Sequence, residues 1–223
     1  MRGLPDFKIA FRNTDLVPCR EVKNLGVIFD QKLSWDSHVG VVGRRCSGTL
    51  VALSHVRHVL PVGVIKTLVA ALVLSQVTYC LSVYGNGTKK NIDRIQKVLN
   101  FAARVIFGKR KFDHVSDLRG KLGWLPAQHM ADHRTLCLAH KVIAGGEPES
   151  LAAAFMCNGD RRSRRTRQDG QLYVPRSTTE TGKRRFCSRA PALYNRLSSD
   201  LTPLSQQRFS RTVKRRLLDL HRT

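Results

Sequence analysis

Residues 91–108 read Asn91-Ile92-Asp93-Arg94-Ile95-Gln96-Lys97-Val98-Leu99-Asn100-Phe101-Ala102-Ala103-Arg104-Val105-Ile106-Phe107-Gly108, and this stretch decides the fold class. Ile92, Ile95, Leu99, Ala102 and Ile106 recur at intervals of three and four, the period of a helix that buries one stripe. Asn91 suits the N-cap, where a side-chain oxygen accepts from an unsatisfied N–H of the first turn. Gly108 suits the stop, because glycine enters the left-handed conformation without a Cβ penalty. Arg94, Lys97 and Arg104 fall outside the stripe and are available on the surface. Gln96 and Asn100, four residues apart, either meet a ligand or serve a neighbouring helix as a cap or hydrogen-bond partner. Lys109-Arg110-Lys111 either extends the basic surface beyond the helix or is a solvated loop.

The pattern is helical on both sides of this stretch. Ser34 suits the N-cap of a segment running to about His58, although Gly40, Gly43 and Gly48 weaken it as a helix. Pro61 suits the first turn of the next helix, which carries the apolar run Thr67–Val83 and ends near Tyr84-Gly85. That run has about the length of the shortest membrane-spanning helices. Thr67, Ser75, Gln76, Thr78 and Ser82 lie within it and Lys66 stands at its edge, so it reads as a buried core helix. A short helix over Val115–Leu122 ends at Gly123. Pro126 opens another, with Leu136, Leu138, Val142 and Ile143 facing inward and Gly145-Gly146 closing it. Ahead of Ser34 the period is two: Phe7, Ile9 and Phe11 alternate with Lys8, Ala10 and Arg12. Asn13-Thr14-Asp15 signals a turn, and Val22–Phe29 is a β-branched run around Gly26. So few strands cannot bury both faces alone; they need the helices that follow, or a sheet that has been lost.

Charge is the outlier in composition. The 223 residues hold 39 Lys and Arg against 16 acids, a net +23, with 42% hydrophobic residues, as in a globular chain. The isoelectric point is near 10.8. Such an excess suits a polyanionic partner, since each neutralised phosphate releases counterions. Nucleic acid fits better than an anionic membrane surface or a face tuned only for solubility. The charge is also uneven: residues 158–223 hold seventeen basic and five acidic residues, a net +12 over 66 residues, whereas residues 1–157 hold twenty-two and eleven, a net +11. Six scattered cysteines (Cys19, Cys46, Cys80, Cys137, Cys157 and Cys187) form no Cys-x-x-Cys pair. Met1–Leu16 is polar and broken by Pro5, unlike a secretory signal. Reduced thiols in a nuclear or cytoplasmic setting are expected, with no secretion and no membrane insertion.

The tail divides further. Residues 158–171 read as a basic linker carrying Arg161, Arg162, Arg164, Arg165 and Arg167. Leu172–Val174 and Phe186–Ser188 are expected to pair as a hairpin around Gly182. Helices follow at about Ala190–Leu197 and Ser205–Leu220. Lys183-Arg184-Arg185, Arg189 and Lys214-Arg215-Arg216 are the cations that flank these ordered elements.

Several segments, taken in order, resemble the region downstream of the polymerase core in LINE-type (jockey-like, non-LTR) retrotransposon reverse transcriptases. The first is Val22-Lys23-Asn24-Leu25-Gly26-Val27-Ile28-Phe29-Asp30 with Leu33-Ser34-Trp35 and His38, similar to the run that closes that family's palm and enters its thumb. The second holds Arg94, Gln96, Asn100 and Arg104, at positions matching a thumb helix written R-x-Q-x-x-x-N-x-A-A-R. The third is Asp113-His114-Val115-Ser116, Leu122-Gly123-Trp124-Leu125-Pro126, Lys141 and Glu147-Pro148. In the tail, Val174-Pro175-Arg176, Gly182, Phe186, Ala190-Pro191 and Leu193-Tyr194-Asn195-Arg196-Leu197 match less tightly. Tyr194 stands where the family usually has Trp, and Ser198 where Pro is usual. Phe209 through Leu218 resembles the closing basic helix. The likeness spans nearly the whole chain, and its specificity lies in order and spacing rather than in any single motif.

The resemblance implies an α+β, mainly α-helical chain: a palm-edge strand remnant at 1–33, a helical thumb-like domain at 34–157 and a basic tail at 158–223. It also implies what is lacking. Reverse transcription needs carboxylates that hold two metal ions about 3.5–4 Å apart. The family takes two of them from an aromatic-x-Asp-Asp turn in the palm, and this sequence has no Asp-Asp dipeptide. The expectation is therefore a chain that holds RNA or DNA without catalysing, with no cofactor of its own and Mg²⁺ only in the complete parent enzyme. Met1 is then an accidental start in a decayed copy, or the chain is one piece of a longer active polymerase.

Other chemistries read poorly. His129, His133, Cys137 and His140 share one side of a helix, a conceivable zinc face. Met130 occupies the place where a metalloprotease needs its general-base Glu, so packing is the better reading. No Gly-x-Ser-x-Gly elbow supports a hydrolase. Gly85-Asn86-Gly87 before Lys89-Lys90 lacks the spacing of a phosphate loop.

Overall fold

The computed structural model describes residues 8–161, 169–197 and 201–220. It is mainly helical, with two short antiparallel hairpins at the N-terminal end. In the first, β1 (Ile9–Phe11) pairs with β2 (Thr14–Leu16), Ile9 opposite Leu16. The turn falls on Arg12-Asn13, with Arg12 at φ 55°, so Thr14 and Asp15 belong to the strand rather than to the expected turn. In the second, β3 (Glu21–Asn24) pairs with β4 (Val27–Asp30), Asn24 opposite Val27. The run Val22–Phe29 is therefore folded back on itself. Leu25 and Gly26 lie at φ 45° and 83°, and two successive left-handed residues match the strand twist of a tight hairpin. The helices cover β4, whose Val27 is 3% exposed, while Ile9, Phe11 and Leu16 of the first hairpin are all more than half exposed.

Helix α1 (Asp36–Val56) starts one residue later than Ser34 implies, because Trp35 takes the cap position at φ 67°. The Ser34 hydroxyl still accepts from Asp36 N at 3.3 Å. The organiser of this corner is Asp30. Its carboxylate accepts from the backbone N–H groups of Lys32 (3.0 Å), Ser34 (3.0 Å) and Trp35 (2.7 Å). Burial alone raises the Asp30 pKa, but these N–H groups favour the anion and hold it below the usual carboxylate value. The three glycines do not break α1, since its other face buries Val39, Cys46, Leu50 and Leu53.

The apolar run is not one continuous helix. Pro61 caps α2 (Val62–Val69), a π turn follows at Ala70–Leu74, then α3 (Ser75–Thr78) and α4 (Leu81–Tyr84). Ile65, Val69, Val73, Val77 and Leu81 are buried at steps of four. An α-helix turns about 40° past a full circle in four residues, and the wider π turn removes part of that drift. The chain breaks at Tyr79, and Cys80 is left-handed at φ 51°. No helix among the described residues is long and apolar enough to cross a membrane.

Helix α5 (Lys89–Phe107) carries the deciding stripe, with Ile92, Ile95, Leu99, Ala102 and Ile106 all buried and Gly108 left-handed at φ 63°. Thr88, not Asn91, takes the cap position. Asn91 is buried in the first turn and donates to Ser34 O at 2.8 Å, tying α5 to the start of α1. Helix α6 (Ser116–Leu122) ends at left-handed Gly123, and α7 (Ala127–Gly145) begins after Pro126. Gly85 lies so close to α7 that a Cβ there would stand 2.7 Å from Ala131 Cβ. Along α7 the buried set includes Leu136, Ala139, His140 and Val142; Leu138 is half-buried, and Ile143 faces outward because α7 is packed from two other directions.

Those two directions are separate cores. Ala127 and Ala131 close the core made by β4, α1, α2–α4 and α5. Leu136 and Ala139 join Leu172, Ala190, Tyr194, Leu201, Phe209 and Val213 in a second core built with the tail. The tail follows α8 (Glu149–Ala152) and α9 (Asn158–Arg161) with α10 (Glu180–Arg184), α11 (Phe186–Tyr194) and α12 (Gln206–Asp219). The expected hairpin around Gly182 does not form. Thr179 Oγ1 accepts from Gly182 N at 3.1 Å, which caps α10 across the supposed turn. Leu172 bridges to Cys157 instead, and the Asn195 side chain satisfies its backbone at 2.9 and 2.8 Å. Phe186 opens α11 four residues before Ala190 and packs edge-on against Phe155.

Candidate nucleic-acid interface

Helix α1 lies along α5, and two clefts run end to end between them, meeting at Phe101. One, about 610 Å³, is bordered by Gly40, Gly43 and Arg44 of α1 and by Arg94, Lys97 and Phe101 of α5. The other, about 550 Å³, is bordered by Ser54 of α1, by Arg57 directly after that helix, and by Phe101, Arg104, Lys109 and Lys111. Matching residues advance together along both helices, so α1 and α5 run in the same direction. Their stripes combine into one groove that, among the described residues, has seven cationic side chains and no acid in its walls. Gly43 is part of why the groove is open: a Cβ there would meet nothing within 4 Å.

The cations are held in different ways. Arg94 lies 3.8 Å from Asp36, at the groove's end, where Lys90 also approaches the same carboxylate at 3.4 Å. Arg104 donates from Nε and Nη2 to the Asp113 carbonyl at 3.3 and 3.1 Å, which pins the following loop to α5 without neutralising the guanidinium. Arg57 packs against Gly108, where an added Cβ would clash with the guanidinium, and its Nε is buried with no hydrogen-bond partner. Lys97, Lys109, Arg110 and Lys111 are exposed. Asp113 accepts from Arg110 N at 2.7 Å and fixes the backbone that presents these three loop cations. Beside them Phe112 is 89% exposed, and Lys111 Nζ lies 5.5 Å from its ring centroid.

Gln96 and Asn100 take the internal alternative. Gln96 Oε1 accepts from Ala127 N at 2.8 Å, serving the first turn of α7 in place of a side-chain cap. Its Nε2 donates to Asn100 Oδ1 at 2.8 Å. The amide pair therefore joins two helices and stands outside the residues that border the groove.

The tail cations are dispersed. Lys183 pairs with Glu180 at 2.6 Å, and Arg189 pairs with Asp132 of α7 in a half-buried contact. Arg184 is half-buried beside an apolar cleft, and Arg185 is exposed just ahead of α11. On α12, Lys214 and Arg215 face outward while Arg216 is half-buried. Arg161 ends α9; Arg162, Arg164, Arg165 and Arg167 lie outside the described residues.

The histidine row on α7 packs against the tail. His133 Nε2 lies 3.0 Å from Ser210 O and 3.6 Å from Cys137 Sγ. His140 sits between Tyr194 Oη (3.0 Å) and Leu204 O (2.8 Å), its ring stacked on Phe209. Burial raises the Cys137 thiol above its ordinary pKa, against the partial opposition of Ser210 and Arg134, so it is held as a thiol rather than as a nucleophilic thiolate. Burial also lowers His133, with Arg134 and Lys214 adding and the Ser210 carbonyl opposing. Among the described residues no group of three His, Cys, Asp or Glu is placed to hold a metal ion.

Sequence reasoning missed Arg44, Arg57, Phe101 and Phe112. Phe112 had a readable signal, an aromatic ring directly after three cations. The others depend on which helix lies beside α5, and no periodicity on one helix reveals its neighbour. No family model, no curated protein and no solved structure matches this chain.

Proposed function

We propose that this chain is a non-catalytic, nucleic-acid-binding part of a LINE-type reverse transcriptase, holding RNA or an RNA–DNA duplex through phosphate contacts. The observation that carries the reading is the groove between α1 and α5, with seven cations and no acid in its walls among the described residues. Like charges converge there at a cost in mutual repulsion that a polyanion relieves. Backbone contacts of this kind are sequence-tolerant, because phosphates carry no base information. The family comes from the ordered resemblance alone, and with it the absence of a catalytic role, since no Asp-Asp turn is present to organise two metals.

Electrophoretic shifts on several unrelated RNAs across a salt series test the reading. Affinity falls steeply with salt, with a log–log slope of about −0.7 to −0.9 per phosphate neutralised. Replacing Arg161, Arg162, Arg164, Arg165 and Arg167 with Ala flattens that slope and weakens all sequences alike. Salt-independent binding, or none, contradicts the reading.

A second reading draws on the first hairpin. Its exposed Ile9, Phe11 and Leu16 suit a chain that is one piece of a longer RNA-directed DNA polymerase, whose sheet covers them. An upstream open frame encoding the Asp-Asp turn supports it.

A further inference from the structure

We infer that the groove between α1 and α5 takes a single, unpaired strand, with Phe101 and Phe112 as stacking platforms for its bases. This inference rests on the nucleic-acid reading above, narrows its choice between RNA and duplex to an unpaired strand, and adds two aromatic contacts.

Cations and aromatic rings alternate along the groove and just beyond it. Arg94, Lys97, Phe101 and Arg104 follow one another on α5 and border the groove; Lys109 and Lys111 border it from the loop beyond, and Phe112 comes directly after Lys111 in the chain. Cations alone would serve any phosphate backbone, paired or not. Aromatic rings set between cations serve a strand whose bases are free to stack, since every base has a π face and a duplex hides it. Phe101 is half-buried: it packs on the main core and also borders both clefts, at the point where they meet. Phe112 contributes nothing to a core at 89% exposure, yet Arg104 and Asp113 fix its loop in place.

The length fits a short strand. From residue 94 to residue 107 the helix rises about 20 Å, the length of about six nucleotides at a stacked spacing of 3.4 Å. Arg57 adds a guanidinium to the wall at the Phe101–Gly108 end.

The test measures binding of the whole chain to three probes of equal length: a twelve-nucleotide oligo(U), an abasic strand and an RNA duplex. The intact chain binds oligo(U) more tightly than the duplex. Phe112→Ala and Phe101→Leu each weaken oligo(U) binding by about 5- to 150-fold, the range of one lost base–aromatic stack, and leave the abasic strand unchanged. Phe112→Ala carries the test even if Phe101→Leu perturbs the core, because its ring is exposed. Equal affinity for duplex and single strand, or unaltered oligo(U) binding in Phe112→Ala, overturns the inference. Lys97→Glu/Lys109→Glu/Lys111→Glu separates the two levels. If that variant loses all three probes while the phenylalanine variants do not weaken oligo(U), the phosphate reading stands and the strand-state inference fails. If it loses none, the underlying reading fails as well.

Discussion

Replacing Gln96 with Ala tests whether the amide serves the fold or a ligand. Gln96 Oε1 is the acceptor for Ala127 N–H at 2.8 Å, and Pro126 offers no side-chain cap in its place. Ala127 is 1% exposed, so water cannot readily replace the lost acceptor. An unsatisfied buried N–H costs about 1–3 kcal/mol. For a chain of this size each kcal/mol lowers Tm by about 2–4 °C, so a loss near the middle of that range lowers it by about 4–8 °C. Gln96→Glu keeps an acceptor and sets a negative charge at the start of α7, which favours the helix by about 0.3–1 kcal/mol. Its melting temperature stays near that of the parent chain. Circular dichroism melts give the stability, and RNA titration of the folded variants gives the affinity, which stays unchanged in both. An unaltered Tm with weakened RNA binding in Gln96→Ala would refute the internal role and return Gln96 to the binding surface.

Leu99→Asp and Ile95→Asp unfold the main core, since each places an unpaired charge at a site no more than 3% exposed; Lys97→Ala, on the exposed side, changes stability by no more than about 0.5 kcal/mol. Equal losses in all three melts would refute the assigned faces. Acidification destabilises the chain: burial lowers the pKa of both His38 and His133, so the unfolded state takes up protons first and stability falls as pH drops below about 6.5. Asp30, held low by its N–H donors, adds a further loss as pH falls from the ordinary carboxylate value through its own. Melts at pH 8, 6.5 and 5 show this as a falling Tm, less steep between 6.5 and 5 in His133→Gln; a flat or rising Tm contradicts it.

The helical body was legible because each helix carries its own punctuation. The stripe on α5, the glycine stops at 108 and 123, and the prolines ahead of α2 and α7 are local signals that local physics obeys. What was misread depended on partners far along the chain. Asn91 has the residue type of a cap, yet Ser34 draws its side chain inward and Thr88 takes the cap position. Gln96 serves a helix that begins thirty-one residues later. The tail hairpin failed because Asn195 supplies the bonds that a strand would have given Leu172. The groove was half legible: Arg94, Lys97, Arg104, Lys109 and Lys111 stood out as surface cations, whereas Arg44 and Arg57 join them only once α1 is laid beside α5. Gly40 and Gly43 read as weaknesses of a helix, and their small size instead leaves the cleft open.

The most direct measurement compares two charge reversals in RNA binding at matched ionic strength. One carries Lys97→Glu, Lys109→Glu and Lys111→Glu in the groove; the other carries Lys8→Glu, Lys23→Glu and Lys32→Glu on and beside the hairpins, where all three lysines are exposed as well. Both remove the same net charge, so a diffuse attraction between a basic chain and RNA weakens equally in each. A built groove does not. The groove variant loses most of its affinity and its salt slope flattens by about 2, three phosphate contacts at about 0.7 each, while the hairpin variant keeps its slope. Equal affinity and equal slope in the two variants would contradict the groove as the binding site.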